Sequence, residues 1–332
     1  MSEKKLPMIQ VEHLKTYYPV YGGFFKHKVG EVKAVDDVSL TVQHGETLGL
    51  VGESGCGKTT LGKTLMGLEK ATGGKVFYDL DGEMKDMTKF NREESFKMRE
   101  RVSMVFQDPM SSLNPLKRIR EAFDEPMKVH GIKDPEERNR RMVDLMELVN
   151  LDPAYLERFP HEFSGGQRQR IAIARALCID PQLVICDEPV SALDVSIQAQ
   201  VLNLMKDIQK KMGLTYIFIA HDLSVVQYIS DRIAVMYLGK IMETAGSEEL
   251  YQNPLHPYTK ALLSAVPIPS LDVKKKRIIL EGDVPSPINK PAGCAFHNRC
   301  PQCCEICRHE EPKPIEVKPG HIVACHLYDE QK

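Results

Sequence analysis

The feature that most constrains this chain is nine residues long. GESGCGKTT at 52–60 follows the apolar run LGLV at 48–51 and precedes the helix-spaced residues Leu61, Leu65, Met66 and Leu68. The run fits the pattern G-x-x-x-x-G-K-[ST]. Its glycines let the backbone curl until successive N–H groups face a phosphate, and the helix N-terminus that follows adds positive dipole. Gly52, Ser54, Gly55, Cys56, Gly57, Lys58, Thr59 and Thr60 are therefore candidate nucleotide-binding residues. Lys58 can reach the β- and γ-phosphates, and the Thr59 hydroxyl can ligate Mg²⁺. Cys56 has two readings: a tolerated side chain, or a thiol of lowered pKa beside a helix N-terminus and open to alkylation.

A strand–loop–helix unit of this kind needs a parallel sheet, and the rest of the chain supplies one. QRQRIAIARALC reads as helix, LVICDEP as buried strand, SIQAQVLNLMKDIQKKMG as helix, TYIFIAHD as strand, LSVVQYISD as helix and RIAVMYLGKIMETA as strands. Such alternation implies a parallel sheet flanked by helices. Before the loop, IQVEHLKTYY and VKAVDDVSLTVQHG alternate apolar and polar residues, as half-buried antiparallel strands do. Residues 92–160 are polar and mostly helical, with Met142, Leu145, Met146, Leu148 and Val149 on one face and Pro109, Pro115, Pro126 and Pro135 as breaks. No internal repeat is visible.

LVICDE at 183–188 supplies the second half of a nucleotide site. A buried strand ends in two acids at the edge where parallel sheets bind ligands. Asp187 would hold Mg²⁺ through water, and Glu188 would polarise the attacking water as general base.

Charge and hydropathy remove other classes. The 44 basic and 46 acidic residues leave a net charge of −2, which takes away the simplest case for a nucleic-acid partner. No stretch approaches the roughly 20 apolar residues that cross a bilayer, and MSEKKLPMIQVEHLK has no apolar h-region, so work at a membrane is expected to go through partners. The cysteines are lopsided. Cys56, Cys178 and Cys186 are scattered, whereas Cys294, Cys300, Cys303, Cys304, Cys307 and Cys325 crowd the last 39 residues. Pro267, Pro269, Pro285, Pro287, Pro291, Pro301, Pro312, Pro314 and Pro319 preclude long regular elements there. Residues 265–332 read as an appendage that needs a staple.

These residues together carry a resemblance. FSGGQRQR at 163–170, 23 residues before Asp187 counted from Ser164, resembles the LSGGQ signature of ABC-transporter ATPases, with Phe163 for Leu. SALD at 191–194 resembles the family's D-loop, His221 in IFIAHD its switch histidine and Gln107 in MVFQDP its Q-loop, all in the family's order. The resemblance covers roughly residues 8–260. It implies an α/β fold: a P-loop NTPase core with an antiparallel β subdomain and an α-helical subdomain at about 108–180, forming a nucleotide-binding domain over 1–264, followed by a small irregular Cys/Pro-rich extension over 265–332. It also implies a head-to-tail dimer. Each ATP would lie between one subunit's phosphate loop and its partner's Ser164, Gly165, Gly166 and Gln167, and Ser191, Ala192, Leu193 and Asp194 would form the D-loop. Glu188, His221 and Gln107 would be catalytic, and Thr59, Gln107 and Asp187 would surround Mg²⁺. Tyr18 stands where the family stacks an aromatic on adenine, with Tyr17 as competitor.

NPLHPYTKALLSAVP at 253–267, EGDVPSPINKPAGCAFHNRCP at 281–301 and GHIVACHL at 320–327 resemble ATPases of oligopeptide and dipeptide importers, and other features resemble the F type of their two paired ATPases. Importers of nickel and other small solutes share much of this pattern. The resemblance implies a second ATPase subunit, two transmembrane permeases whose coupling helix enters a groove near Gln107, an extracytoplasmic peptide-binding protein, and a place on the cytoplasmic face of the membrane. Some relatives carry a [4Fe–4S] cluster on four cysteines matching Cys294, Cys300, Cys307 and Cys325. Four thiolates suit that cluster, which would be structural because nothing places it near the ATP site. Zn²⁺, disulfides and free thiols are the alternatives. A soluble ABC ATPase of DNA repair or translation, and an NTPase with a redox-sensing tail, are the competing classes.

Overall fold

The computed structural model describes residues 6–22, 27–266 and 277–329, apart from the side chains of Met110 and Ser111. Pro267 and Pro269, which the sequence singles out, lie outside those residues. Twelve strands form two sheets: β1 (Ile9–Gly22), β2 (His27–Val42), β3 (Thr47–Val51), β4 (Gly73–Leu80), β5 (Glu83–Asp86), β6 (Val102–Val105), β7 (Leu183–Asp187), β8 (Thr215–Ile219), β9 (Arg232–Tyr237), β10 (Lys240–Gly246), β11 (Pro314–Lys318) and β12 (His321–Ala324). The first sheet is antiparallel, in the order β2-β1-β4-β5. The second runs β11-β12-β10-β9-β3-β8-β7-β6.

In the second sheet β6, β7, β8, β3 and β9 are parallel neighbours. Their side chains alternate between two cores, as a period of two requires. Leu183 and Ile185 of β7, Ile217 and Ile219 of β8, and Ala234 and Met236 of β9 enter the core shared with the antiparallel sheet. Val184, Cys186, Tyr216, Phe218, Ile233, Val235 and Tyr237 enter the core beneath the helices. Register stacks like on like: Ile185 lies opposite Ile217, and Cys186 opposite Phe218. All five residues of β3, β7 and β8 are buried, which is why these strands read as continuous apolar runs.

The helix Lys58–Leu65 follows the phosphate loop and is fixed between the sheets. Leu61 and Leu65 enter the shared core, and Tyr78 on β4 donates its hydroxyl hydrogen to the Leu65 carbonyl at 2.6 Å. Over 108–180, helices at Ile119–Val129 and Pro135–Leu148 lead through two short 3₁₀ turns to the helix Gly165–Ala176.

The C-terminal extension is mostly irregular, as its prolines dictate, but it is tied to the body. β12 adds to β10 through the pairs Glu243–Val323 and Thr244–Ile322, and β11 adds to β12. Buried His321 meets the buried Glu243 carboxylate at 2.7 Å, and the same carboxylate accepts from the Leu255 and His256 N–H groups. His256 in turn accepts from the Tyr258 N–H and caps the helix Pro257–Ser264. The GHIVACH and HPYT residues are thus docking elements.

Candidate functional site

Parallel pairing puts the ends of β3, β8, β7 and β6 on one edge. The loop at 52–57 leaves β3, Asp187 and Glu188 close β7, His221 follows β8 and Gln107 follows β6. This is where ligands of open α/β sheets bind. Four segments far apart in sequence therefore converge because of strand order alone.

The loop is built from backbone that only glycine adopts. Gly52 and Gly57 have φ of 154° and 107°, and a Cβ at either would meet a carbonyl oxygen at 2.1 or 2.0 Å. Lys58 is buried, and its ammonium donates to the carbonyls of Gly52 at 2.8 Å and Glu53 at 3.1 Å. The Cys56 sulfur is tucked under this loop, and burial pushes its thiol above the ordinary cysteine range despite the pull of Lys58. A thiol in that state is a poor nucleophile, so the reactive reading of Cys56 is corrected.

Thr59 donates its hydroxyl hydrogen to Asp187 Oδ1 at 3.0 Å. Burial raises the Asp187 carboxyl above its usual range and the Glu188 charge adds to that. The Thr59 hydrogen bond, Lys63 and Lys58 pull the other way. A carboxylate beside a hydroxyl is a hard oxygen pair suited to Mg²⁺. Glu188 has a positive φ of 47°, and its N–H donates to the Ile219 carbonyl, which aims its side chain off the strand. Its Oε2 accepts from Gln107 Nε2 at 3.0 Å and lies 3.4 Å from His221 Nδ1. Glu188, Gln107 and His221 are thus one cluster, with Asp187 and Thr59 next to it.

Tyr17 and Tyr18 separate. The Tyr17 hydroxyl donates to Asp36, which also accepts from Lys290 at 3.0 Å. Tyr18 instead interacts with Thr60 and Glu69, and so stands beside the first turn after the phosphate loop.

The segment at 164–167 makes its own local site. Ser164 caps the helix Gly165–Ala176, its N–H donating to the Gln167 side chain at 3.0 Å. Ser164 and Gly165 are exposed. The 191–194 turn lies against this helix start: an added Cβ at Gly165 would touch Leu193 at 3.6 Å, and one at Gly166 would strike Ile197 at 2.5 Å. Ser191 donates to the Glu188 carbonyl at 3.1 Å, which links the turn to the acid pair.

Burial pushes the Cys294, Cys307 and Cys325 thiols up to about 11, 12 and 11, and Cys300 upward as well, and these groups feel one another electrostatically. Cys304, set aside by the spacing, has its sulfur 3.2 Å from that of Cys307. Among the described residues no group of three or more His, Cys, Asp or Glu is placed to hold a metal ion. A [4Fe–4S] cluster on Cys294, Cys300, Cys307 and Cys325 thus draws no support from this grouping. The segment has another staple: Phe296 is buried against Tyr237 and Tyr258, with ring centroids 5.3 Å from each. Nor is the tail remote from the loop. Arg299 forms a two-pronged ion pair with Glu53, at 2.7 and 3.1 Å, and the Glu53 N–H donates to the Tyr258 hydroxyl at 2.9 Å. Arg299, Glu53 and Tyr258 are absent from the residues chosen by sequence. The only signal was that NRCP and HPYT sit in tail segments resembling one importer family.

A glycine-rich phosphate loop, an acid pair at the neighbouring strand end, and a capped SGGQ helix beside an SALD turn define an ATPase of the ABC class. A family model described as ABC transporter matches residues 35–191, and one described as oligopeptide/dipeptide transporter, C-terminal region, matches 242–307. The chain is 53% identical to the oligopeptide transport ATP-binding protein AppF of Bacillus subtilis over 324 residues, 97% of each chain. It is 46% identical to the dipeptide transport ATP-binding protein DppF of Haemophilus influenzae over 327 residues, 98% of each. Among solved structures, the dimeric post-hydrolysis state of the ATP-binding cassette MJ0796, bound to ADP and Pi, superimposes with a TM-score of 0.62 at 27% identity, covering 72% of this chain and 99% of that one. The chain belongs to the ATP-binding subunits of ABC oligopeptide and dipeptide transporters.

Proposed function

We propose that this chain hydrolyses MgATP to drive import of oligopeptides or dipeptides through an ABC transporter. The observation that carries it is the junction of Lys58, Thr59, Asp187, Glu188, Gln107 and His221 on one sheet edge. Peptide as cargo is supported by the match at 242–307 and by the names of the curated relatives. No residue of this site selects the cargo.

The chemistry follows from the geometry. Backbone N–H groups of the loop and the Lys58 ammonium hold the β- and γ-phosphates. Thr59 and Asp187 face the Mg²⁺ that arrives with ATP. Tyr18, beside Thr60, stacks on adenine, while Tyr17 is committed to Asp36. Glu188 accepts a proton from water as its oxygen attacks the γ-phosphorus. The bond to the β–γ bridging oxygen breaks, and ADP leaves with that electron pair. Gln107 and His221 hold the Glu188 carboxylate in line.

Ser164, Gly165, Gly166 and Gln167 receive the γ-phosphate of a partner ATPase subunit. Support comes from the exposure of this capped helix start and from the dimeric state of the MJ0796 cassette. The partner is a second, similar ATPase. Of the two permeases, one inserts a coupling helix into a groove of about 210 Å³ lined by Phe106, Pro126, Ala172 and Arg175, and a peptide-binding protein delivers cargo on the far side. No helix among the described residues is long and apolar enough to cross a membrane, which fits a peripheral subunit on the cytoplasmic face. A [4Fe–4S] cluster in the tail is supported only by the resemblance and by the crowding of the thiols.

Three measurements test these readings. Glu188→Gln keeps the shape and removes the base, so ATP binding persists and turnover falls by about 10²–10⁴; turnover near wild type contradicts the role. Gly166 is a poor probe of the second subunit because any side chain meets Ile197. Ser164→Asp keeps a good helix cap and places a carboxylate where the partner's γ-phosphate binds. The isolated mutant binds ATP as wild type does, and the assembled transporter loses at least about tenfold in turnover, ~1.4 kcal/mol. Lost affinity in the isolated subunit would refute action in trans. Anaerobic purification with iron and sulfide analysis tests the tail: both retained supports a cluster, and neither, even after reconstitution, removes it.

A further inference from the structure

The Arg299–Glu53 pair joins the tail to the phosphate loop and is more buried than the tail's surface ion pairs. Lys318 with Glu249 and Lys240 with Glu311 each have at least one partner more than half exposed. The Arg299 side chain is 9% exposed and reaches both Glu53 carboxylate oxygens. The Arg299 backbone is held from behind: its main-chain N–H donates to the Phe296 carbonyl at 3.0 Å, and Phe296 is locked among Tyr237 and Tyr258. One guanidinium arm also lies 3.5 Å from the Tyr237 hydroxyl.

Glu53 is the loop residue through which this grip can act. Its carbonyl accepts from the Lys58 ammonium at 3.1 Å and from the Cys56 N–H at 3.2 Å. Its own N–H is fixed by Tyr258. The residues around it, Gly52, Gly55 and Gly57, all have positive φ, so the loop backbone is intrinsically soft. A soft loop must lose conformational freedom when it closes round a triphosphate, and ordering it in advance removes that cost. A bidentate, charge-assisted pair is well suited to do so.

We propose that Arg299 is a positioning residue for ATP binding: through Glu53 it holds the phosphate loop and the Lys58 ammonium ready for the triphosphate, so that the C-terminal extension is a working part of the nucleotide site. This deepens the ATPase reading and rests on residues 52–59 being the phosphate site.

The test is equilibrium binding of MgATP to the full chain, with steady-state turnover in the assembled transporter. Arg299→Ala weakens ATP binding about tenfold and raises KM alike, while kcat at saturating ATP stays near wild type. Glu53→Gln does the same, and the double variant is no weaker than either single one, because both break one link. Lys318→Ala, which loosens the tail elsewhere, leaves affinity unchanged. Wild-type affinity in Arg299→Ala, additive losses in the double variant, or an equal loss in Lys318→Ala would each overturn the proposal. If Arg299→Ala does not fold, Glu53→Gln, made on the loop side, carries the test. Lys58→Ala separates the two levels. If it abolishes binding while Arg299→Ala does not weaken it, the tether alone is wrong; if Lys58→Ala binds normally, the phosphate-site reading has failed.

Discussion

The parallel pairing of β3, β8, β7 and β6 is the constraint on which the ATP site depends. It brings the phosphate loop, the acid pair, His221 and Gln107 to a single edge although they span residues 52–221. The pairing is enforced by burial. Neighbouring strands present Ile185, Ile217 and Leu48 to one core and Cys186, Phe218 and Tyr216 to the other. A slip of one residue in any strand would exchange its two faces and displace the strand end that carries the chemistry. The Thr59–Asp187 hydrogen bond is the local result, formed across 128 residues of sequence by strand order.

That part of the molecule was legible because its signals are local. Gly52 and Gly57 advertise backbone that only glycine adopts, and an apolar strand ending in Asp187 and Glu188 advertises a ligand edge. Tyr17 and Tyr18 are adjacent on one strand, and sequence alone does not show that Asp36 takes the Tyr17 hydroxyl while Tyr18 stands beside Thr60. The pair between Arg299 and Glu53 spans 246 residues and has no periodicity to betray it. HIVA at 321–324 joins the main sheet as β12, but four residues among prolines are too short to read as a strand. The cysteine spacing offers four candidate ligands, but it does not show that Cys304 lies against Cys307 or that Phe296 and ion pairs also fasten the segment.

The extension therefore belongs to the nucleotide site's scaffold. Lys290 shares Asp36 with Tyr17, and Arg299 holds Glu53 of the phosphate loop. Both contacts come from the segment at 285–300. A cassette without this segment would need other residues to order its loop, so the tail and the loop are expected to tolerate change only together.

A strand edge that assembles the MgATP site brings the Thr59 hydroxyl and the Asp187 carboxylate together at the metal. The Mg²⁺ dependence of ATP hydrolysis by the assembled transporter measures this most directly, comparing wild type with Asp187→Asn at fixed, saturating ATP. The Mg²⁺ concentration for half-maximal turnover should rise about tenfold or more in the variant. An unchanged Mg²⁺ requirement would show that Asp187 does not face the metal and would contradict the account.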